Sequence, residues 1–241
     1  MDHELDIRLD VTLQATPEQV WDAIATTTGL AAWFMPVPVD ATDAGTEVWE
    51  PGKHLLIRTP AGPDGSSQAF EYAIEAGAGG TTVLRFSHSG FLGDDWSDEY
   101  EAMTRAGWGM YLATLAEYFV HFAGQSATYI EAEAPPSSAR AEAWPALGAA
   151  LRPDGPLTVG ATVRITGGVA TEDGQPIVAT IDLVDDRFVG LRTADALIRF
   201  HGRWLMGMSV AVSHHAYGEI DAPMATQRWA GWLASVFPAD P

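Results

Sequence analysis

Residues 104–122, TRAGWGMYLATLAEYFVHF, form a pattern that few folds accommodate. Trp108, Tyr111, Leu112, Leu115, Phe119 and Phe122 recur at steps of three and four, so an α-helix places them on one face. Met110, Thr114, Glu117 and His121 fall largely elsewhere. A stripe with four aromatic rings needs a broad apolar partner, which a curved sheet supplies. The same lettering then returns. Trp108, Tyr111, Leu112, Ala113 and Thr114 are echoed by Trp229, Trp232, Leu233, Ala234 and Ser235, 121 residues later. Ser87-His88-Ser89-Gly90-Phe91 is echoed by Ser213-His214-His215-Ala216-Tyr217, at an offset of 126. Matching order and near-equal spacing predict a chain built twice.

The segments before the helix fit a strand, two helices and a meander. Leu5, Ile7, Leu9, Val11 and Leu13 alternate with Asp6, Arg8, Asp10 and Thr12, the signature of a half-buried strand. Thr16-Pro17-Glu18-Gln19 carries a capping box and a first-turn proline, predicting a helix with Val20, Trp21 and Ile24 on its apolar side. Gly29 is expected to end it, and residues 30–34 to begin a second short turn. Strands are expected at 46–50, 53–59, 68–75 and 81–89, separated by Gly-, Pro- and Asp-rich turns. Ser97 or Asp98 is placed to cap the long helix. The second half is expected to repeat this with strands at 126–134, 158–166, 176–184, 188–192, 196–201 and 208–215 and a last helix at 222–237. Trp144-Pro145-Ala146-Leu147 lines up with Trp21-Asp22-Ala23-Ile24, and Pro145 should kink that helix or start a new one.

Composition narrows the classes of function. With 241 residues and 47% hydrophobic content, the chain can build a real core. The absence of cysteine removes disulfides, thiol chemistry and Cys-based zinc sites. A net charge of −19 argues against nucleic acid and against anionic membrane surfaces. No apolar run approaches the length of a membrane span, and the charged, alternating first ten residues do not form a signal peptide, so a soluble, cytoplasmic protein is expected.

In this order, residues 15–24, residues 30–34 with Trp33, residues 81–91 ending His88-Ser89-Gly90-Phe91, and Gly107-Trp108 resemble the helix-grip superfamily called SRPBCC or START-like, shared with the birch pollen allergen. Within it they are similar to the branch of the activator of heat-shock chaperone ATPase. The resemblance implies an α+β fold in which a curved antiparallel sheet wraps a long C-terminal helix and leaves an elongated cavity. Residues 1–124 are expected to form a complete helix-grip domain. Residues 125–241 are expected to form a degenerate, trimmed repeat, lacking a counterpart of residues 31–43.

Few residues carry recognisable chemistry. The histidines are His3, His54, His88, His121, His201, His214 and His215, and none forms an HxxxH or HExxH motif. Asp94, Asp95 and Asp98 lack the spacing of a calcium loop. No phosphate loop or G-x-S-x-G elbow is present, so no metal and no cofactor is expected. His88 shares strand parity with Leu84 and Phe86 and either lines a cavity as a proton relay or fastens the strand end to the helix. If the opposite face is the concave one, Arg85 takes its place. Trp33, Phe34, Trp49, Phe70, Phe86, His88, Phe91, Trp108 and Tyr111 are the expected ligand-binding walls of the first half.

The expected function is therefore binding of a hydrophobic or aromatic small molecule between sheet and long helix. The superfamily offers two alternatives. One is a cyclase, aromatase or hydrolase using His88, Tyr111 and Arg85; the other is a chaperone-regulating interaction module with a protein partner.

Overall fold

The computed structural model describes residues 3–63, 65–92, 98–151, 155–166 and 175–239. The chain divides into two compact units, Met1–Ser126 and Ala127–Pro241.

The first unit runs β1 (His3–Leu13), α1 (Pro17–Ile24), α2 (Thr27–Ala31), β2 (Thr46–Glu50), β3 (His54–Arg58), β4 (Ser67–Ala76), β5 (Thr82–Leu92) and α3 (Asp98–His121). Its sheet has the order β1-β5-β4-β3-β2 and is antiparallel throughout. The alternation of β1 does what its pattern requires: Leu5, Ile7 and Leu13 are buried and pair with Gly90, His88 and Thr82 of β5. On β5 itself Leu84, Phe86 and His88 are buried. Arg85 points the other way, half exposed, with Nη2 3.0 Å from Glu75 and Nε 3.8 Å from Asp10. The face that receives the helix is thus the Phe86/His88 face, and Arg85 does not reach it.

Thr16 caps α1 as its sequence dictates. The Gln19 amide donates to Thr16 Oγ1 at 3.3 Å, and the Thr16 amide donates to Gln19 Oε1 at 2.9 Å. Gly29 does not end that helix. It lies inside α2, whose N-cap Thr26 accepts from the Gly29 amide at 2.9 Å. The residue is glycine because α2 folds back so tightly that a Cβ there would run into the carbonyl oxygen of Asp22.

Helix α3 begins six residues before the predicted stripe, at Asp98. It is buried more broadly than one stripe, since Met110 and Thr114 are buried along with Trp108, Leu112, Leu115, Phe119 and Phe122. Thr114 satisfies its hydroxyl by donating to the Met110 carbonyl at 2.9 Å. Residues 93–97, and with them the capping role of Ser97 and any metal role of Asp94 and Asp95, lie outside the described residues, as do the side chains of His3 and Asp98.

The second unit runs β6 (Thr128–Glu133), α4 (Pro145–Leu151), β7 (Thr162–Ile165), β8 (Ile177–Val184), β9 (Phe188–Arg192), β10 (Ala196–His201), β11 (Ala211–Ala216) and α5 (Ala222–Val236). Its sheet order, β6-β11-β10-β9-β8-β7, repeats the scheme of the first and adds β7 at the edge. The economy is in the helices, not the strands. Two single 3-10 turns, Pro136–Ser138 and Ala141–Ala143, lead into α4, which Pro145 opens. Leu147, Leu151, Ile181, Leu191, Phe200, Trp229 and Leu233 form one core. Both α+β units place a long C-terminal helix across an antiparallel sheet, which is the helix-grip arrangement.

Candidate functional site

The last strand and the C-terminal helix of each unit are joined by one side-chain hydrogen bond. In the first, Trp108 Nε1 on α3 donates to His88 Nδ1 on β5 at 3.0 Å. An indole N–H only donates, so Nδ1 must be the acceptor and the proton of a neutral imidazole must sit on Nε2. That Nε2–H has its own partner, Gln68 Oε1 on β4 at 2.8 Å. Both ring nitrogens are therefore engaged. Burial holds His88 down to about 4, and protonating Nδ1 would set two donors against each other. His88 fastens sheet to helix; it has no free nitrogen with which to relay a proton.

The rings around it pack on one another. Phe86 lies 4.2 Å from Trp108 between ring centres, Phe34 5.4 Å from Trp108 and 4.5 Å from Tyr111, and Phe70 stacks on His88 at 4.5 Å. Trp33 is fully buried and donates to the Ala23 carbonyl at 3.0 Å. Trp49 sits edge-on to Trp21 at 5.1 Å, away from this cluster, and Phe91 is 53% exposed. Of the nine residues expected as walls, six (Phe34, Phe70, Phe86, His88, Trp108 and Tyr111) come together, and they pack on one another. None of the nine lines either of two cavities found among the described residues.

In the second unit Trp229 Nε1 on α5 donates to His214 Nδ1 on β11 at 3.1 Å. The proton is again forced onto Nε2, and burial again holds the imidazole down, to about 4, against a smaller upward pull from Asp195. The surroundings differ. Strand register pairs His88 with Phe70 and Gly90 with Gln68; it pairs His214 with Ile198 and Ala216 with Ala196. Ala196 thus stands where Gln68 stands, and Ile198 where Phe70 stands. The described connection after α4 offers no ring corresponding to Phe34. His214 Nε2 has no hydrogen-bond partner among the described residues.

A cavity of about 540 Å³ opens at this point. His214, Ile198, Ala196 and Trp229 line it from the sheet and the helix, with Ile177, Met224 and Ala225 as further apolar walls. Asp195, Glu219, Asp221 and Arg228 supply its charged groups, and Thr193 donates to Asp195 Oδ1 at 2.7 Å. Arg228 makes no ion pair or hydrogen bond with the described residues. Volume, apolar lining and a few convergent polar groups are what small-molecule sites share. The other cavity lies in the first unit at Pro17, Trp21, Lys53 and Ile74. Its carboxylates, Glu18 and Asp22, are exposed and it offers no buried polar side chain. Among the described residues no cluster of His, Asp and Glu has the makings of a metal site, and no helix is long and apolar enough to cross a membrane.

No protein-family model matches the chain, and no curated protein matches it. Solved structures do. DynU16, from the dynemicin biosynthetic locus, is 21% identical over 96% of both chains, with a TM-score of 0.39. The Aha1 protein of Colwellia psychrerythraea is 19% identical over 48% of this chain and 96% of its own, with a TM-score of 0.39. An AHSA1-like protein of Rhizobium etli is 23% identical over 51% of this chain and 84% of its own, with a TM-score of 0.37. The solved structures similar to this chain thus include Aha1-like proteins, the branch its motifs resemble.

Proposed function

We propose that this protein binds a small, largely apolar molecule, and that the cavity between β10, β11 and α5 is where it does so. The two halves are read as copies of one module that have diverged. The first has closed its interior with Phe34, Phe70 and Gln68; the second has kept it open. One observation carries this: a buried histidine, fixed by Trp229 with its N–H left over, lines a cavity of about 540 Å³. In the first half His88 has both nitrogens engaged and Arg85 lies on the far side of the sheet, so these two residues do not support catalysis there.

Neutral naphthalene derivatives test the proposal. Ligand at a hundredfold excess over its Kd stabilises a protein by about 2.7 kcal/mol, so a rise in Tm is expected. Ile198→Trp, which fills the cavity, should remove that rise, and Phe70→Leu in the first half should leave it. A rise that survives Ile198→Trp places binding elsewhere and refutes the assignment.

A protein-contact role has one observation in its favour. Leu205, Met206 and Met208, in the connection from β10 to β11, are 40%, 37% and 42% exposed. If they dock a heat-shock chaperone, the protein accelerates that chaperone's ATPase and Leu205→Ser with Met206→Ser lowers the gain. No acceleration by the unmodified protein removes this role.

A further inference from the structure

The first half holds its own stand-in for a ligand. Gln68 Oε1, an amide carbonyl oxygen, accepts from the His88 Nε2–H at 2.8 Å, while Trp108 fixes the other nitrogen. In the second half Trp229 fixes His214 in the same way, but register puts Ala196 at the place of Gln68. A methyl group accepts no hydrogen bond. The donor is thus retained, 93% buried and lining a cavity, and the oxygen that answers it in the sister module is gone.

We infer that the ligand supplies this oxygen: the second-half cavity takes a neutral, mostly apolar molecule that presents a carbonyl oxygen to His214 Nε2–H. The inference rests on that cavity being the ligand site. The oxygen is a carbonyl because a carbonyl is what fills the place in the first half. The molecule is neutral because three carboxylates, Asp195, Glu219 and Asp221, line the cavity against one guanidinium, Arg228. An anionic ligand meets net repulsion there. Ile177, Ile198, Met224 and Ala225 line the cavity with apolar walls for the body of the molecule.

Three probes of one shape make the test: 2-acetylnaphthalene, 2-ethylnaphthalene and 2-naphthoate, titrated into the full-length protein by calorimetry. The ketone is expected to bind about tenfold more tightly than the ethyl compound, the worth of one good hydrogen bond in a dry site. It should also bind more tightly than the carboxylate. In the ¹⁵N-correlated spectrum of labelled imidazoles, the ketone should shift the His214 Nε2–H signal and leave that of His88 in place. Ala196→Gln, which puts the amide oxygen back, should abolish ketone binding while the protein stays folded. If it does not fold, the imidazole spectrum of the unaltered protein still decides. Equal binding of ketone and ethyl compound with an unmoved His214 signal overturns the carbonyl inference and leaves the cavity as a ligand site. Tighter binding of naphthoate overturns it also. Failure of all three probes to bind overturns both.

Discussion

His88 and His214 are held by the same kind of partner in the same way, yet only the first has its second nitrogen answered from within the protein. The difference rests on one side chain, Gln68 against Ala196. Gln68→Ala should therefore leave a buried N–H without an acceptor and cost about 1–3 kcal/mol, read from denaturant unfolding. Trp108→Phe should cost a similar amount, because it removes the donor from Nδ1 and opens space beside Phe34 and Phe86. A loss below about 0.5 kcal/mol in both would mean that the bonds contribute nothing net. At this scale His88 was legible in the sequence as a residue on the apolar parity of its strand. Its partners were not, because Gln68 is twenty residues away and nothing in the local pattern marks it as an acceptor.

Elements were read more successfully where local chemistry fixes them. The capping box at Thr16 and Gln19, the alternation of β1 and the proline opening α4 each appear as written, since each depends on neighbours within a few residues. Thr16→Ala should cost about 1 kcal/mol. Gly29 misled because glycine after a helix usually marks its end, whereas here it serves a close approach between α2 and the last turn of α1. Gly29→Ala should accordingly destabilise by about 1–3 kcal/mol through overpacking, although alanine is the better helix former. A stabilised variant would show that the two turns separate freely. Among the described residues the second unit has two α-helices to the first unit's three, and six strands to its five. Edge strand β7 has no counterpart in the first half against which a repeat could have been recognised.

For the whole molecule, three buried histidines link stability to pH. Burial lowers His88 and His214 to about 4 and His201 to about 3, the last also pushed down by Arg203, Arg199 and His215. Above about pH 6.5 each is neutral folded and unfolded, so none costs anything. Between about 6.5 and 4 the unfolded chain takes up protons that the folded chain refuses. Each histidine then removes about 1.4 kcal/mol of stability per pH unit. Thermal melts should fall across that window, and His201→Gln should flatten the fall; an unchanged slope would show that His201 is not a neutral buried group. The cavity was the least legible feature of the chain. The expected site lay in the first half, where aromatic rings are more numerous. Those rings pack on one another in the first unit, whereas in the second Ala196 and Ile198 stand at the register positions of Gln68 and Phe70 and line a cavity. Because both indole–imidazole contacts sit in one polypeptide, the molecule also carries its own calibration standard. If the second-half cavity takes the proposed ligand, the Trp108 signal is an internal reference against which a ligand-induced change at Trp229 is read, without a separate reference protein.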